Sequence, residues 1–227
     1  MTDEFKRGLV TGLAMRPLAV VPFGDRLPRP VIELFFDGNL DNTGTGEFDI
    51  AAVGDILYAD GAEGQCYNAS SATEIRINGC TELLSGDLTI CFWFRITAAS
   101  GLAPYPLFRR CVWWVANGAY WGTELGYSNN VSNNKFALVA NGTSSVLSDT
   151  AYNDGAWHFA AITRSSNFIT AAVDGLEILS IAAPTQSVGD TITISSSNYA
   201  LNGYIDSLRV YDTALSLADI AAVMALK

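Results

Sequence analysis

The sequence is poor in charged residues and has no long apolar run. Only 16% of its 227 residues are charged, whereas 49% are hydrophobic and 11% are aromatic. This balance excludes an intrinsically disordered chain, which needs high charge and low hydrophobicity. No apolar run reaches the roughly 20 residues that a membrane-spanning helix requires. We therefore expect a folded globular protein with a sizeable core and no membrane span.

Basic residues are also scarce, and no lysine-rich run is present. The chain carries 13 lysines and arginines against 23 aspartates and glutamates, so its formal net charge is −10 at pH 7. Most of such a surface would repel a phosphate backbone. We therefore expect no nucleic-acid partner.

Histidine occurs once, at His158, and the four cysteines include no Cys-x-x-Cys pair. This scarcity argues against a zinc site, and we predict that the cysteines are reduced thiols of the core. Residues 157–162 are apolar on both faces of a predicted strand, apart from His158 itself. We interpret His158 as a structural strand residue rather than a catalytic base or a metal ligand.

From residue 31 onward, short apolar segments alternate with clusters of Asn, Asp, Gly and Ser, which is typical of strands and turns. The clearest segment, Leu88–Ile96, has a period of two and is apolar on both faces, which predicts a central strand covered on both sides. Asp174 and Gly175 form a tight-hairpin signal. The other predicted strands are 108–116, 136–140, 157–164, 168–174, 176–181, 191–195 and 204–212.

A helix is predicted near the end of the sequence, where Ser216-Leu-Ala-Asp219 has the form of a capping box. We expect this helix to pack on the strands. The residues expected on its apolar face are Leu217, Ile220, Ala221 and Met224.

The first thirty residues differ from the rest. They carry five basic and three acidic groups, and they hold four of the seven prolines. Because proline removes a backbone donor and disfavours helix before it, this segment is predicted to be an extended arm. The domain organisation is then an arm at 1–30 and a strand-rich domain at 31–227. The residues expected to anchor the arm by burial are Phe5, Leu9, Leu13, Leu18 and Phe23.

Three segments between residues 31 and 227 resemble the laminin G-like branch of the concanavalin A-like lectin/glucanase superfamily. They are the Asp-Gly-Asn turn at 37–39 with its following glycine-rich loop, the Asp-Gly-x-Trp-His motif at 154–158, and the Gly-x-Ile-Asp motif at 203–206 before the terminal helix. The resemblance implies an all-β fold. The expected architecture is a two-sheet antiparallel jelly-roll sandwich with a short C-terminal helix, preceded here by the extended arm.

The same resemblance implies a calcium site at the rim of the sandwich, because many relatives hold calcium with residues of the opening turn and the closing strand. Calcium takes several oxygen ligands, and the matching loops supply them. The alternative is that the opening turn is only an Asx-type turn and the closing-strand aspartate bonds to backbone donors. The matching residues here are Asp37, Asn39, Asp41 and Asp206.

Glucanases of this superfamily use paired carboxylates in a Glu-x-Asp-x-x-Glu string, which is absent here. We therefore expect no enzymatic activity. Aromatic residues between 105 and 127 are candidates for stacking on sugar rings, with the core and a subunit interface as alternatives. The glycan-binding candidates are Tyr105, Trp114, Tyr120, Trp121 and Tyr127.

Residues 6–18 resemble the opening of minor structural proteins of tailed bacteriophages, in which a Lys/Arg-Gly-Leu-x-x-Gly-Leu-Ala-x-x-Pro-Leu stretch precedes a lectin-like domain. This resemblance implies a virion structural or decoration protein, made in the host cytoplasm without a signal peptide. The arm would bind capsid or tail proteins, and the domain would be displayed as a homo-oligomer, with a host-surface glycan as a further partner. The alternative is a stand-alone calcium-dependent carbohydrate-binding module.

Overall fold

The computed structural model describes residues 27–69, 73–96, 111–115, 121–128, 131–140, 144–182, 189–195 and 203–226. Strands dominate this part of the chain, with two short helices, α1 (Thr81–Ser85) and α2 (Leu217–Met224). Neither helix is long and apolar enough to cross a membrane. The strands are β1 (Ile32–Leu34), β2 (Asp49–Val53), β3 (Tyr58–Asp60), β4 (Gln65–Asn68), β5 (Glu74–Asn78), β6 (Leu88–Ile96), β7 (Cys111–Val115), β8 (Trp121–Ser128), β9 (Val131–Ala140), β10 (Ser144–Ala151), β11 (His158–Ser165), β12 (Phe168–Val173), β13 (Leu176–Ala182), β14 (Thr191–Ile194) and β15 (Gly203–Tyr211).

The strands form two antiparallel sheets. The first sheet has the order β13, β12, β11, β6, β15, β4, β3, and the second has the order β10, β9, β8, β7, β14, β5, β2. Strand β1 also belongs to the first sheet, where it pairs with β15 at Leu208–Val210 while β4 pairs with β15 at Tyr204 and Ile205. This arrangement confirms the predicted all-β jelly-roll sandwich.

The central strand β6 has both faces covered. Its alternate residues from Leu88 to Ile96 lie in the core between the two sheets. On the opposite face Cys91 is fully buried, in a second apolar cluster that includes residues of α2. Thr89, on that same face, accepts a hydrogen bond from the Leu215 N–H at 2.9 Å. The prediction of a central strand covered on both sides is confirmed.

Helix α2 begins with the predicted capping box. The Ser216 hydroxyl accepts a hydrogen bond from the Asp219 N–H at 3.2 Å, and the Asp219 carboxylate accepts one from the Ser216 N–H at 3.2 Å. These two bonds satisfy backbone donors at the helix start. The helix also packs on the outer face of the first sheet, as expected.

The apolar face of α2 differs from the predicted one. Ile220 and Val223 are buried against the sheet, and Met224 packs beside them. Leu217 is 45% exposed and Ala221 is exposed, so the prediction is wrong for these two residues. A helix of this length makes only about two turns, and it buries a narrow stripe rather than the wide face that periodicity suggests.

The turn between β12 and β13 is the tight hairpin predicted from Asp174 and Gly175. Both residues have positive φ, 52° and 80°, which is the requirement of a type I′ turn. Helix α1, in contrast, has no counterpart among the predicted elements. It has only five residues, and no side chain caps its start at Cys80, so the sequence carries no helix-start signal there.

The cysteines that the structure describes are free and buried, namely Cys66, Cys80 and Cys91. Burial raises the pKa of Cys66 and of Cys80 to about 11 and that of Cys91 to about 12. These thiols therefore stay protonated and unreactive at neutral pH. The prediction of reduced core thiols is confirmed for these three; Cys111 lies on β7.

The arm lies almost wholly outside the described residues, which begin at Leu27. This applies to all five anchoring candidates, Phe5, Leu9, Leu13, Leu18 and Phe23. Leu27 packs against the second apolar cluster. The Pro30 carbonyl accepts a hydrogen bond from the Thr45 N–H at 3.0 Å. Residues 27–30 are therefore attached to the sandwich.

We predict that Ile220→Ala lowers the free energy of unfolding by about 2–4 kcal/mol, because it leaves a cavity beneath α2 where Ile220 is 3% exposed. Leu217→Ala, on the same helix but exposed, is the control and should cost about 0.5 kcal/mol or less. Urea denaturation of the two variants tests the packing. Equal losses of stability would contradict the placement of α2 on the sheet.

Candidate functional site

A turn at Gly61–Gln65 is bound by two carboxylates from distant parts of the chain. Asp206, on β15, accepts hydrogen bonds from the backbone N–H groups of Ala62 at 2.8 Å and Glu63 at 3.1 Å. Asp37, which follows β1, accepts one from the Gln65 N–H at 2.7 Å. The opening and closing segments of the domain thus meet at this turn.

The turn depends on glycine. A Cβ atom at Gly61 would lie 2.6 Å from a carboxylate oxygen of Asp206, and one at Gly64 would collide with the carboxylate of Asp37. Gly64 also has a φ of +54°, which favours glycine. The carboxylates can therefore approach the backbone closely enough to bond to it.

Asp206 is fully buried, and burial raises the pKa of its carboxyl group. Hydrogen bonds from the backbone N–H groups of Glu63, Ala62 and Ser207 act in the opposite direction but do not fully offset burial. Backbone N–H groups therefore hold the Asp206 carboxyl group in place.

Asn39 forms the Asx-type turn that the sequence left open as an alternative. Its side-chain oxygen accepts a hydrogen bond from the Asp41 N–H at 2.9 Å, and Asp41 itself is exposed. Asn42 is a residue of this loop that sequence reasoning missed. Its side-chain oxygen accepts hydrogen bonds from the N–H groups of Glu33 and Gly44, both at 2.9 Å, and so attaches the loop to β1.

Calcium requires six to eight oxygen ligands around one point. Among the described residues no group of three or more His, Cys, Asp or Glu side chains is placed to hold a metal ion. Asp37 and Asp206 both bond to backbone N–H groups instead. Calcium binding by Asp37, Asn39, Asp41 and Asp206 stays a prediction.

The predicted glycan-binding aromatics are only partly within the described residues. Tyr105 and Tyr120 lie outside them, whereas Trp114 is on β7 and Trp121 and Tyr127 are on β8. Where β7 pairs with β14, Trp114 is opposite Thr193 and Trp113 is opposite the core residue Ile194. Strand alternation then assigns the Trp114 position to the outer face of the second sheet.

The Trp121 and Thr123 positions are two residues apart on β8, so strand alternation assigns them to the same face of the sheet. Thr123 is paired with Leu138, and Leu138 is part of the core. The register therefore assigns the Trp121 position to the inner face of the sheet. Sugar binding by any of the five aromatic residues stays a prediction.

The first sheet brings together three side chains that sequence reasoning missed as a group. Arg95 is paired with Tyr204 across β6 and β15. Trp157 comes immediately before β11, whose first residue His158 is paired with Phe94, the neighbour of Arg95 on β6. The guanidinium carbon of Arg95 lies 5.0 Å from the Trp157 ring centre and 4.4 Å from the Tyr204 ring centre. Alternation along β6 placed Arg95 on the outer face, but the sequence holds no signal for the cross-strand register.

His158 has hydrogen bonds at both ring nitrogens. Its Nδ1 lies 2.8 Å from a carboxylate oxygen of Asp174, and its Nε2 lies 3.1 Å from one of Asp154. The ring packs against Phe94 and Tyr152, at centroid distances of 5.6 and 5.2 Å. His158 thus joins the hairpin turn to the loop before β11. This is the structural role predicted from the sequence, although its two carboxylate partners were not predicted.

The protonated form of His158 is favoured in the folded state. Burial lowers the pKa of His158, but the hydrogen bonds and charges of Asp174 and Asp154 outweigh it, so the pKa is raised above 6.5. A hydrogen bond from the Ala156 N–H, and then the hydrogen bond with His158, lower the pKa of Asp154.

A protein-family model described as "Concanavalin A-like lectin/glucanases superfamily", of the Laminin G 3 type, matches residues 68–221. This range is more than half of the chain and covers the strands from β5 to β15 and most of α2. The chain therefore belongs to this family. No functionally curated protein matches the chain.

Solved structures with the same fold come from toxins and from a polysaccharide-degrading enzyme. The receptor-binding domain of a botulinum neurotoxin C/D mosaic serotype is 16% identical with a TM-score of 0.68, covering 87% of this chain and 51% of that one. The binding domain of Paraclostridial Mosquitocidal Protein 1 is 13% identical with a TM-score of 0.66, covering 88% and 52%. The chain thus spans about half of these toxin domains.

Domain 4 of the extracellular arabinanase AbnA from Geobacillus stearothermophilus, solved with arabinotriose, is 17% identical with a TM-score of 0.66. The match covers 87% of this chain and 98% of that domain. At these identities the likeness establishes the lectin-like fold that the chain shares with these binding domains.

We predict that stability falls as pH rises through the raised pKa of His158. A raised folded-state pKa contributes stability that is fully present below the unfolded value near 6.5 and is lost above the folded value. Because His158 is the only histidine, His158→Gln should remove this decline. Urea denaturation of both proteins from about pH 5.5 to 8.5 measures it. The same slope in both proteins would refute the assignment.

Proposed function

We propose that the chain is a non-enzymatic, lectin-like structural protein of a bacteriophage particle. Residues 31–227 form the displayed binding domain, and residues 1–30 attach it to capsid or tail proteins. The observation that carries the binding role is the lectin-like jelly roll itself, which the chain shares with receptor-binding and carbohydrate-associated domains. The proposed location is the virion, and the displayed form is a homo-oligomer.

The absence of catalysis in this proposal rests on chemistry. The sequence has no Glu-x-Asp-x-x-Glu string, so the paired carboxylates of the superfamily's glucanases have no counterpart. Both nitrogens of the single histidine bond to carboxylates, which leaves no free nitrogen to activate a nucleophile.

The attachment role is supported by how the arm joins the sandwich. Leu27 packs against the second apolar cluster, and the Pro30 carbonyl accepts a hydrogen bond from the Thr45 N–H, so the segment before Leu27 starts from a fixed point on the outer face of the first sheet. The segment also carries the whole of the phage-like stretch, residues 6–18. An arm held at such a point can bind a neighbouring subunit while the acidic domain projects from the particle.

We predict that deletion of residues 1–26, which keeps Leu27 in place, yields a soluble domain whose melting temperature is close to that of the full chain. The truncated protein should be absent from purified particles, because the apolar arm that binds the particle is lost. Mass spectrometry of particles assembled with either form measures incorporation. The full chain carrying Asp41→Asn, an exposed change outside the arm, is the control and should be incorporated like the native chain. Incorporation of the truncated form at the level of the full chain would sink the attachment role.

A stand-alone calcium-dependent carbohydrate-binding module is the second candidate. The observation that favours it is the match over 98% of the arabinanase domain, which was solved with a bound arabino-oligosaccharide. In this candidate Asp37, Asn39, Asp41 and Asp206 hold calcium, and the aromatic residues of 105–127 contact the sugar.

For this second candidate we expect saturable binding of arabinotriose by the full chain in the presence of calcium chloride, and loss of binding in a chelator, because calcium would set the loop geometry. Calorimetric titration measures both. Trp114→Ala should weaken binding, and the melting temperature of this variant shows whether it is folded. Binding that survives the chelator would remove calcium from this candidate, and no binding of any neutral glycan would remove the candidate.

A further inference from the structure

Arg95 has no hydrogen bond and no ion pair with any described residue, and its Nε atom is buried without a partner. A guanidinium group carries five N–H donors, and burying one of them without a partner is costly because it loses its hydrogen bond to water. Two other arginines on the strands of the first sheet, Arg209 and Arg164, do have protein partners. Arg209 bonds to Glu33 at 2.8 Å, and Arg164 donates to the Leu84 carbonyl at 2.7 Å.

The orientation of Arg95 is fixed by two aromatic rings. The Trp157 and Tyr204 ring centres are 6.5 Å apart, with their planes at 57°. Each ring centre is 4.4–5.0 Å from the guanidinium carbon, so the guanidinium lies in the angle between the rings and is not sandwiched between parallel faces. We call this arrangement of Arg95, Trp157 and Tyr204 the arginine corner. All three side chains are partly exposed.

Carboxylates of the sandwich do not complete the arginine corner. The charges of Asp206 and Arg95 both influence Cys66, so Asp206 is in the same region as Arg95. Its carboxylate, however, accepts hydrogen bonds from the N–H groups of Ala62 and Glu63. Glu124 belongs to β8, in the other sheet. In the sequence outside the described ranges, aspartate and glutamate occur only at positions 3, 4 and 25.

We propose that the arginine corner binds a carboxylate-bearing sugar. The sugar carboxylate accepts hydrogen bonds from the open edge of the Arg95 guanidinium, a pairing for which guanidinium geometry is well suited. The apolar face of the sugar ring packs against Trp157 or Tyr204, which supply flat apolar surface beside the charge. On a chain of net charge −10, long-range attraction of anions is absent, so recognition depends on these short-range contacts. The inference rests on the proposed binding function and names its ligand class.

The test is calorimetric titration of the full chain with methyl β-glucuronide and with methyl β-glucoside, which differ only in the carboxylate. We expect the glucuronide to bind about tenfold more tightly, because the charge-assisted bonds are lost with the glucoside. Arg95→Met should weaken glucuronide binding about tenfold. Arg29→Met removes the same charge from an exposed position and should leave binding unchanged.

Arg95→Lys is the second variant in case the methionine variant does not fold. It keeps the charge but loses the planar pair of donors, and we expect severalfold weaker binding with an unchanged melting temperature. Tyr204→Leu should weaken binding of both sugars. Equal binding of the two sugars to the native chain, or unchanged glucuronide binding in both Arg95 variants, would overturn the proposal.

Two further measurements test whether something else occupies the arginine corner. Acetate at the same concentration should not displace the glucuronide; equal competition would mean a simple anion site and overturn the sugar assignment. A variant with Asp3, Glu4 and Asp25 all changed to Asn should bind the glucuronide as the native chain does. A tenfold gain would identify the chain's own arm as the occupant and overturn the proposal. Binding of a neutral glycan without glucuronide binding would reject the arginine corner and leave the proposed binding function standing.

Discussion

The structure depends on the burial of both faces of β6. A strand that is apolar on both sides cannot lie in a sheet with one wet face, so the first sheet must be covered on its outside as well as against the second sheet. Helix α2 supplies that cover with Ile220 and Val223, and Thr89 bonds the segment before the helix to β6. The part of the outer face at Arg95 is covered differently, because the partly exposed rings of Trp157 and Tyr204 pack against the Arg95 guanidinium there.

The loops at the rim are set by short polar contacts. Asp37 and Asp206 fix the Gly61–Gln65 turn from two sides, and each carboxylate lies next to a non-glycine residue with positive φ, Phe36 at 61° and Ser207 at 50°. Such backbone conformations persist only where surrounding contacts over-determine them. The rim is therefore a rigid frame, which suits a binding domain because little ordering entropy remains to be lost when a ligand binds.

Charged side chains have different roles at the rim, at the hairpin and on the outer face of the first sheet. Carboxylates of Asp37 and Asp206 bond to backbone, those of Asp154 and Asp174 hold His158, and the guanidinium of Arg95 packs against aromatic rings without an anion. The first two uses close loops and join turns, so they are complete within the domain. The third lacks an anion for Arg95 among the described residues, which is why we propose a ligand there and not at the other two.

The sequence by itself determined the elements that local chemistry specifies. The period-two pattern of Leu88–Ile96, the positive-φ signal of Asp174 and Gly175, and the capping box at Ser216 are read from neighbouring residues, and each is confirmed. Tertiary structure decided which face α2 buries, which backbone groups Asp37 and Asp206 bond, and that Trp157, Arg95 and Tyr204 meet. These depend on register between strands that are distant in the chain, and a single sequence encodes strand alternation but not which residues face each other across the sheet.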